Sequence, residues 1–381
     1  MKIPMLDLVA EHAPYRNELR DAFERVMDSG RFVLGPEVEA FENEIAAWIG
    51  VPHAIGVSNG SDALLLALQA LGVGPGDEVI CPTYTFFATA GAVARLGGRP
   101  VFVDSVECCY NMRVDQVAAK IGPKTRAIIA VHLFGQCADM RPVLAAAKKK
   151  NIPVIEDAAQ ALGAKDQGRM AGTMGTLGCF SFFPTKNLGT LGEGGLVTTK
   201  DPDLAEKIRK LRVHGAKVKY FHEMAGGNFR LHELQAAFLR VKLRHLDSAL
   251  RKRREKADKL IQELVEKWKA IFPVDHCLCE GEGMNRVTHP VGTVFLPYVC
   301  QPGEGGHTWN QFVIRISGQG KRDETRERLA RQGIQSEVYY PRAMHQQECF
   351  SKTKSVAFPL AESLCTETLA LPLAAADCLE Q

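Results

Sequence analysis

Lys186 stands in a setting unusual for a surface lysine: it ends the stretch Ser181-Phe182-Phe183-Pro184-Thr185-Lys186 and is followed by Gly189, Gly192, Gly194 and Gly195. Aromatic neighbours desolvate an amine, which lowers its pKa and frees it for nucleophilic attack. Four glycines within seven positions imply close backbone approach or positive φ around something bulky, and weigh against a plain surface loop. A second feature lies upstream, where Val154-Ile155 runs into Glu156-Asp157 and then Ala158-Ala159-Gln160. Functional groups of open α/β sheets gather where strands end. The pattern therefore directs at least one carboxylate into a crevice, unless both acids merely cap the next helix. The third feature is Ser58-Asn59-Gly60-Ser61-Asp62, a turn from strand to helix whose unpaired N–H groups suit a phosphate. Neither G-x-G-x-x-G nor G-x-x-x-x-G-K-[ST] occurs, which removes most support for dinucleotide or nucleoside-triphosphate binding.

Together these features describe a cofactor with a phosphate, a planar ring and an aldehyde. The phosphate sits on Gly60 and Ser61 with the Ser181 hydroxyl as a further donor, a cationic ring nitrogen faces Asp157, and the aldehyde is bound to Lys186. Pyridoxal 5′-phosphate has these parts, and its protonated ring is the electron sink for a substrate carbanion. Phe86 is a candidate to stack on the ring; Phe87 and Tyr84 compete for the role, and spacing does not choose among them.

The elements that would position these residues follow from hydrophobic patterning. Residues 1–50 read as two helices, the first with Leu19, Phe23 and Val26 on one face and broken at Gly30, the second after Gly35-Pro36. Strands are expected at 53–58, 77–81, 100–104, 127–132 and 153–157, several of them continuous apolar runs as in a sheet covered on both faces. Helices are expected near 61–71, 86–96, 113–120, 139–149 and 202–213, and two closely spaced strands at 179–183 and 195–199 read as a hairpin. The fold class is α/β, a three-layer domain with a mostly parallel seven-stranded sheet, followed by a smaller α+β C-terminal domain. A long helical stretch over 231–264, with a break near 246–248, connects the two. The expected division is 1–245 and 246–381. In the second part, 312–316 and 335–340 read as strands and 323–331 as a helix.

Composition bounds the function. The 381 residues are 46% apolar and 24% charged, the balance of a globular chain with a large core. With 47 basic against 44 acidic residues, interleaved, nothing demands a nucleic-acid partner, and Arg251-Lys252-Arg253-Arg254 reads as a solvated helix face. No 18-residue apolar run argues for a membrane span, and the acidic residues near the start argue against a signal peptide. The 11 cysteines, an odd number, read as free thiols in a reducing compartment, so a cytoplasmic location is expected. His276-Cys277-x-Cys279 with His289 lacks structural-zinc spacing, and no metal site is expected.

In combination and order, several motifs are specific: SNGSDAL (58–64), PGDEVICPTYTFFAT (75–89), HLFGQCADM (132–140), PVIEDAAQALGA (153–164), FSFFPTKNLGTLGEGG (180–195), NFRLHELQAA (228–237) and YYPRAMH (339–345). With these the sequence resembles, over nearly its whole length, the DegT/DnrJ/EryC1/StrS sugar aminotransferases, a fold-type-I pyridoxal-phosphate group. The resemblance implies that Lys186 is the Schiff-base lysine and Asp157 the partner of the ring nitrogen. It implies Gln160 beside the ring hydroxyl, Ser181, Gly60 and Ser61 at the phosphate, and Phe86 as the stacking ring. Asn228 resembles the residue that reaches the phosphate from a second subunit, which implies a homodimer with shared sites; Arg230 and His345 match positions lining the donor and sugar side. The implied reaction passes an amino group from glutamate or glutamine to a keto sugar nucleotide, with the cofactor alternating with pyridoxamine 5′-phosphate and Lys186 shuttling a proton.

The stretch 212–220 is similar to members acting on 3-keto sugars, with Lys217 and Lys219 as partners for a diphosphate or sugar carboxylate, or simply a solvated edge. A 4-keto hexose is the main alternative acceptor, and a keto cyclitol is less favoured. A dehydratase and a non-catalytic cofactor-binding regulator are the competing roles. The chain departs from the family at Phe229, where a small residue is usual, and at Pro341-Arg342-Ala343-Met344-His345, where Pro-x-Pro-Leu-His is common. Many members also continue past the Leu371-Pro372 motif into a terminal helix, whereas this sequence ends at Gln381.

Overall fold

The computed structural model describes residues 2–272, 292–300, 303, 305–350 and 356–379. Its centre is a seven-stranded sheet of β1 (His53–Val57), β2 (Glu78–Pro82), β3 (Arg99–Val103), β4 (Thr125–Val131), β5 (Val154–Asp157), β6 (Leu177–Ser181) and β7 (Gly195–Thr199). The strand order is β1-β7-β6-β5-β4-β2-β3, and only β7 runs antiparallel to its neighbours. Side chains alternate between two cores, as the period of two requires. Ile129, Ile155, Cys179 and Val197 face helices α3 (Gly60–Ala70), α4 (Phe87–Arg95) and α7 (Pro202–Leu211). On the other face, Ile128, Ala130 and Val154 meet α5 (Asp115–Lys120) and α6 (Met140–Lys149), while Phe180 and Leu196 meet α2 (Pro36–Ile49) and α8 (Glu233–Leu243). This is the three-layer arrangement that the continuous apolar strands imply.

Local chemistry fixes the helix boundaries. Asp201 caps α7 by accepting from the N–H groups of Asp203 and Leu204. α2 has no cap of its own and borrows one: buried Glu233 accepts from the N–H groups of Gly35, Glu37 and Val38. Helix α1 (Arg16–Ser29) ends on Gly30 at φ 61°, a left-handed cap. Its buried face is Leu19, Ala22 and Val26; Phe23, expected on that face, is 40% exposed.

The long helical stretch is two helices. The chain turns at Arg244-His245, two residues before the expected break, and α9 runs from Leu246 to Trp268. Arg253 does not belong to a solvated face: it donates to the carbonyls of Trp309 and Asn310 and locks α9 onto the C-terminal part. There a second, antiparallel sheet holds β8 (Val294–Phe295), β9 (Phe312–Ile316) and β10 (Thr368–Leu371), with α10 (Lys321–Arg331) and α11 (Pro359–Glu367). Its core takes Ala257, Leu260 and Leu264 from α9 and, from the other end of the chain, Ile3, which bridges to Ile334. Residues 335–340 are not a strand. Only Glu337 pairs, with Ala370, because the segment leaves the sheet to bring Tyr340 to the end of β5.

Candidate active site

The site forms where β5 and β6 end, and the pleat separates its two acids. Glu156 points to the α5/α6 side and is spent on structure. It receives His132 Nε2 at 2.9 Å and the N–H groups of Gly172, Met174 and Gly175 at 2.8, 2.7 and 2.6 Å. His132 Nδ1 accepts from the N–H of Ala138, so Nε2 carries the proton donated to Glu156. Burial pushes the Glu156 pKa up, and the bonds from His132, Gly175 and Gly172 outweigh it and leave the carboxyl below its ordinary value. Asp157 points the opposite way, toward α4. Burial raises its pKa against the Thr89 hydroxyl, which donates to Oδ2 at 2.8 Å, the N–H of Ala159 on Oδ1 at 3.3 Å, and the charge of Lys186. The acid directed into the crevice is therefore Asp157, and neither acid caps a helix.

Lys186 lies in the connection between β6 and β7. Its N–H bonds the Phe183 carbonyl and that of Thr190 the Phe182 carbonyl, so the loop closes tightly on itself. Close approach accounts for the glycines: none of the four has positive φ. A Cβ on Gly189 would stand 2.3 Å from the Pro184 carbonyl oxygen, and one on Gly195 2.4 Å from the carbonyl of Asn59. The lysine is half-buried. Burial brings its pKa down to about 8, with the Asp157 charge pulling the other way. The amine and the carboxylate thus sense one another across the same crevice.

At the start of α3, Asn59 Oδ1 accepts from Asp62 N–H, leaving the N–H groups of Gly60 and Ser61 at the helix mouth. Ser181, the last residue of β6, abuts this mouth so closely that a Cβ on Gly60 would lie 2.7 Å from its own. β6 begins two residues earlier than expected, and that is what places the Ser181 hydroxyl here. The three competing rings separate. Tyr84 is buried with its hydroxyl bonded to the Tyr339 carbonyl and Thr368; Phe87 packs on Phe350; Phe86 is 57% exposed and tilted against Tyr340 at 6.1 Å. Gln160 accepts from Phe134 N–H and donates to Gln311 and to the Tyr340 hydroxyl at 3.0 and 3.2 Å.

The remaining expected residues lie apart from this group or are committed elsewhere. Asn228 is exposed, its Oδ1 accepting from Arg230 Nε at 2.8 Å, beside the end of β1 where Arg230 bridges Val57. His345 is held at both nitrogens, by Thr83 Oγ1 at 2.7 Å and Glu362 at 3.1 Å, so in this chain it clips the C-terminal part to the loop before Phe86. Lys217 pairs with Glu206 at 3.2 Å and Lys219 lies over the Tyr220 ring, both in an exposed hairpin, 216–222. Thr89, Tyr340 and Gln311 escaped the sequence reading. Thr85-x-x-x-Thr89 was visible there, but its carboxylate partner is 68 residues away.

His276, Cys277, Cys279 and His289 lie outside the described residues. Among those described, no cluster of His, Cys, Asp or Glu suits a metal ion, and no helix is long and apolar enough to cross a membrane. The residues present fit pyridoxal phosphate: a glycine-lined mouth with a serine hydroxyl, an exposed aromatic, a buried carboxylate and a lysine of lowered pKa.

Comparison with known proteins agrees. The profile of the DegT/DnrJ/EryC1/StrS aminotransferase family matches residues 14–277 and 292–381. The chain is 44% identical to a pleiotropic regulatory protein of Geobacillus stearothermophilus, over 98% of this chain and 94% of that one. It is 41% identical to a UDP-N-acetyl-3-dehydro-α-D-glucosamine 3-aminotransferase of Acidithiobacillus ferrooxidans, over 97% and 92%. It superposes on the crystal structure of S. venezuelae DesV, solved in complex with a ketimine intermediate, with a TM-score of 0.86 at 40% identity over 97% of this chain and 93% of that one. A lysine amine of lowered pKa that feels the charge of a buried carboxylate, within a chain so closely similar to these proteins, identifies it: the chain belongs to the DegT/DnrJ/EryC1/StrS aminotransferase family and is a pyridoxal-phosphate-dependent sugar aminotransferase.

Proposed function

We propose that the chain passes an amino group from glutamate or glutamine to a nucleotide-linked 3-keto hexose, as a cytoplasmic homodimer whose active sites are shared. The observation that carries the chemistry is the lowered pKa of the Lys186 amine, within the field of the buried Asp157 carboxylate. When bound, pyridoxal phosphate supplies an aldehyde for covalent attachment and an electron-poor ring that stabilises a carbanion at the substrate carbon. Lys186 Nζ would hold that attachment at rest and, once released, would take the proton from the amino donor's α-carbon and deliver it to the former aldehyde carbon of the cofactor, which keeps the amino group; a pKa of about 8 suits both roles at neutral pH. Asp157 keeps the ring nitrogen protonated by opposite charge. Gly60, Ser61 and Ser181 hold the phosphate, Phe86 and Gln160 orient the ring, and Asn228 contributes from the second subunit. These contacts bind every state nearly alike, so they position the reaction rather than drive it.

Arg230, Lys217 and Lys219 are the cations for the acceptor's diphosphate or carboxylate; engagement of Lys217 requires release from Glu206. His345 acts by holding the Phe86 loop. The 3-keto assignment rests on the Acidithiobacillus relative, whose substrate carries its keto group at that carbon. The reduced thiols of Cys81, Cys137, Cys179 and Cys365 support the location.

Two measurements test the proposal. Lys186→Ala should keep the fold and lose amine transfer by at least about 10³-fold. Borohydride reduction followed by mass spectrometry should map the cofactor adduct to Lys186; an adduct on another lysine refutes the assignment. The pyridoxamine-loaded enzyme should be discharged by 3-keto sugar nucleotides about tenfold or more faster than by 4-keto ones, and the reverse order would make the 4-keto hexose the acceptor.

A further inference from the structure

Asp157 is held from behind by a pair of buried hydroxyls. Thr89, at the start of α4, places Oγ1 2.8 Å from Asp157 Oδ2, and Thr85 Oγ1 stands 3.1 Å from Thr89 Oγ1. Both threonines are buried, at 0% and 1% exposure, so water does not compete for either hydroxyl. An ionised carboxylate only accepts hydrogen bonds. Thr89 must therefore spend its single proton on Oδ2, and its oxygen is left to accept the proton of Thr85. The threonine pair, whose donor is ambiguous in isolation, thereby gains one direction: Thr85 to Thr89 to Asp157.

The other carboxylate oxygen is held far less firmly. Among the described residues, Oδ1 receives only the N–H of Ala159, at 3.3 Å. Titratable groups face the carboxylate from several elements: Lys186 in the β6–β7 connection, His132 after β4, the Cys179 thiol of β6 and the Tyr340 hydroxyl. None of these groups hydrogen-bonds Oδ1. We infer that Thr89 is a positioning residue: oriented by Thr85, its hydroxyl fixes Oδ2 and so presents Oδ1 of Asp157 to the ring nitrogen of the cofactor. Phe86 lies between the two threonines in sequence, so one short segment sets both the stacking ring and the carboxylate.

This rests on the reading of Lys186 and Asp157 given above, and deepens it by naming what holds the carboxylate. Thr89→Val keeps the shape and deletes the hydroxyl, while Thr89→Ser keeps the hydroxyl. Each holoenzyme would be loaded with pyridoxal phosphate labelled with ¹⁵N at the ring, and the ring resonance followed against pH. A carboxylate without its donor is free to turn, so Oδ1 is no longer held against the ring nitrogen and the opposite-charge stabilisation of the ring proton weakens. The ring should therefore lose that proton at lower pH in Thr89→Val, with the midpoint falling by about one unit, while Thr89→Ser titrates with the parent. A packing role alone would lower the melting temperature and leave the ring titration in place. The inference is overturned if Thr89→Val titrates with the parent, or if Thr89→Ser falls as far as Thr89→Val. Should Thr89→Val not fold, Thr85→Val carries the test: a lower midpoint supports the relay, and an unchanged one overturns it. Adduct mapping on the same samples separates the two levels, since an adduct away from Lys186 sinks the proposed function, whereas an adduct on Lys186 with an unshifted titration sinks this inference alone.

Discussion

An ammonium group is a poor nucleophile, and an ordinary lysine is almost wholly ammonium at neutral pH. Burial changes that for Lys186 by bringing its pKa down to about 8. Only the neutral amine attacks an aldehyde, so the fraction competent for attachment grows as pH rises through the pKa. The rate at which pyridoxal phosphate attaches to the apoprotein should accordingly climb with pH and level off above a midpoint near 8. Stopped-flow absorbance after mixing apoprotein with cofactor measures this, and a midpoint near that of a free lysine would show the desolvation to be absent. At this scale the sequence was informative where composition alone carries the signal: aromatics and glycines around Lys186, and paired acids at a strand end. It was silent where a contact spans the chain. Which acid faces the crevice depends on pleat phase relative to α4, and Thr89 owes its role to a partner in another βα unit. His345 shows the converse, since a motif matched it to the substrate side while its neighbours Thr83 and Glu362 occupy both its nitrogens.

Elements transmit these residue properties only if their ends meet at fixed distances. The mouth of α3, the end of β6 and the start of β7 converge on Gly60, Ser181 and Gly195, with no room for side chains between them. Gly195→Ala places a Cβ 2.4 Å from the Asn59 carbonyl, a backbone group that cannot rotate away. We expect a loss of about 1–3 kcal/mol, with cofactor affinity falling as well, because the displaced residue sets the phosphate seat. Gly74→Ala is the control, since a Cβ there meets nothing within 4 Å, and it should stay within about 0.5 kcal/mol of the parent. Denaturant unfolding of the apoproteins separates the stability effect from cofactor binding, and equal stability of the two variants would show that the close approach is not restrictive. Element boundaries were legible for the parallel strands, whose apolar runs end in polar turns. They failed at 335–340, where Val338 packs on the C-terminal core while Tyr339 and Tyr340 pack on the core of the large sheet, so the segment bridges two layers rather than joining a sheet, and at 294–295 and 368–371, too short to stand out without their partner β9.

The single chain leaves apolar surface for which its own fold provides no cover. Val218, Tyr220 and Phe221 in the hairpin after α7 are 60%, 79% and 72% exposed, and Asn228 lies exposed a few residues further on. Exposed apolar side chains concentrated in one hairpin suit an interface, and a second copy of the chain is the partner we propose. Arg230 Nε has only protons to offer, so Asn228 must turn its oxygen toward it and its amide N–H groups outward, the orientation needed to donate to a phosphate. Asn228→Ala should then raise the rate of cofactor dissociation about tenfold while the protein still sediments as a dimer. Whether that donor acts across the interface is decided by a mixed dimer of Lys186→Ala and Asn228→Ala chains, purified through two different tags. The mixed dimer has one site with a lysine. If Asn228 reaches over from the neighbouring subunit, that site is completed by the intact asparagine of the Lys186→Ala chain, and its cofactor should leave as slowly as from the parent enzyme. If Asn228 serves its own subunit, the lysine-bearing site carries the defect and releases cofactor as fast as the Asn228→Ala homodimer, and the shared-site arrangement fails.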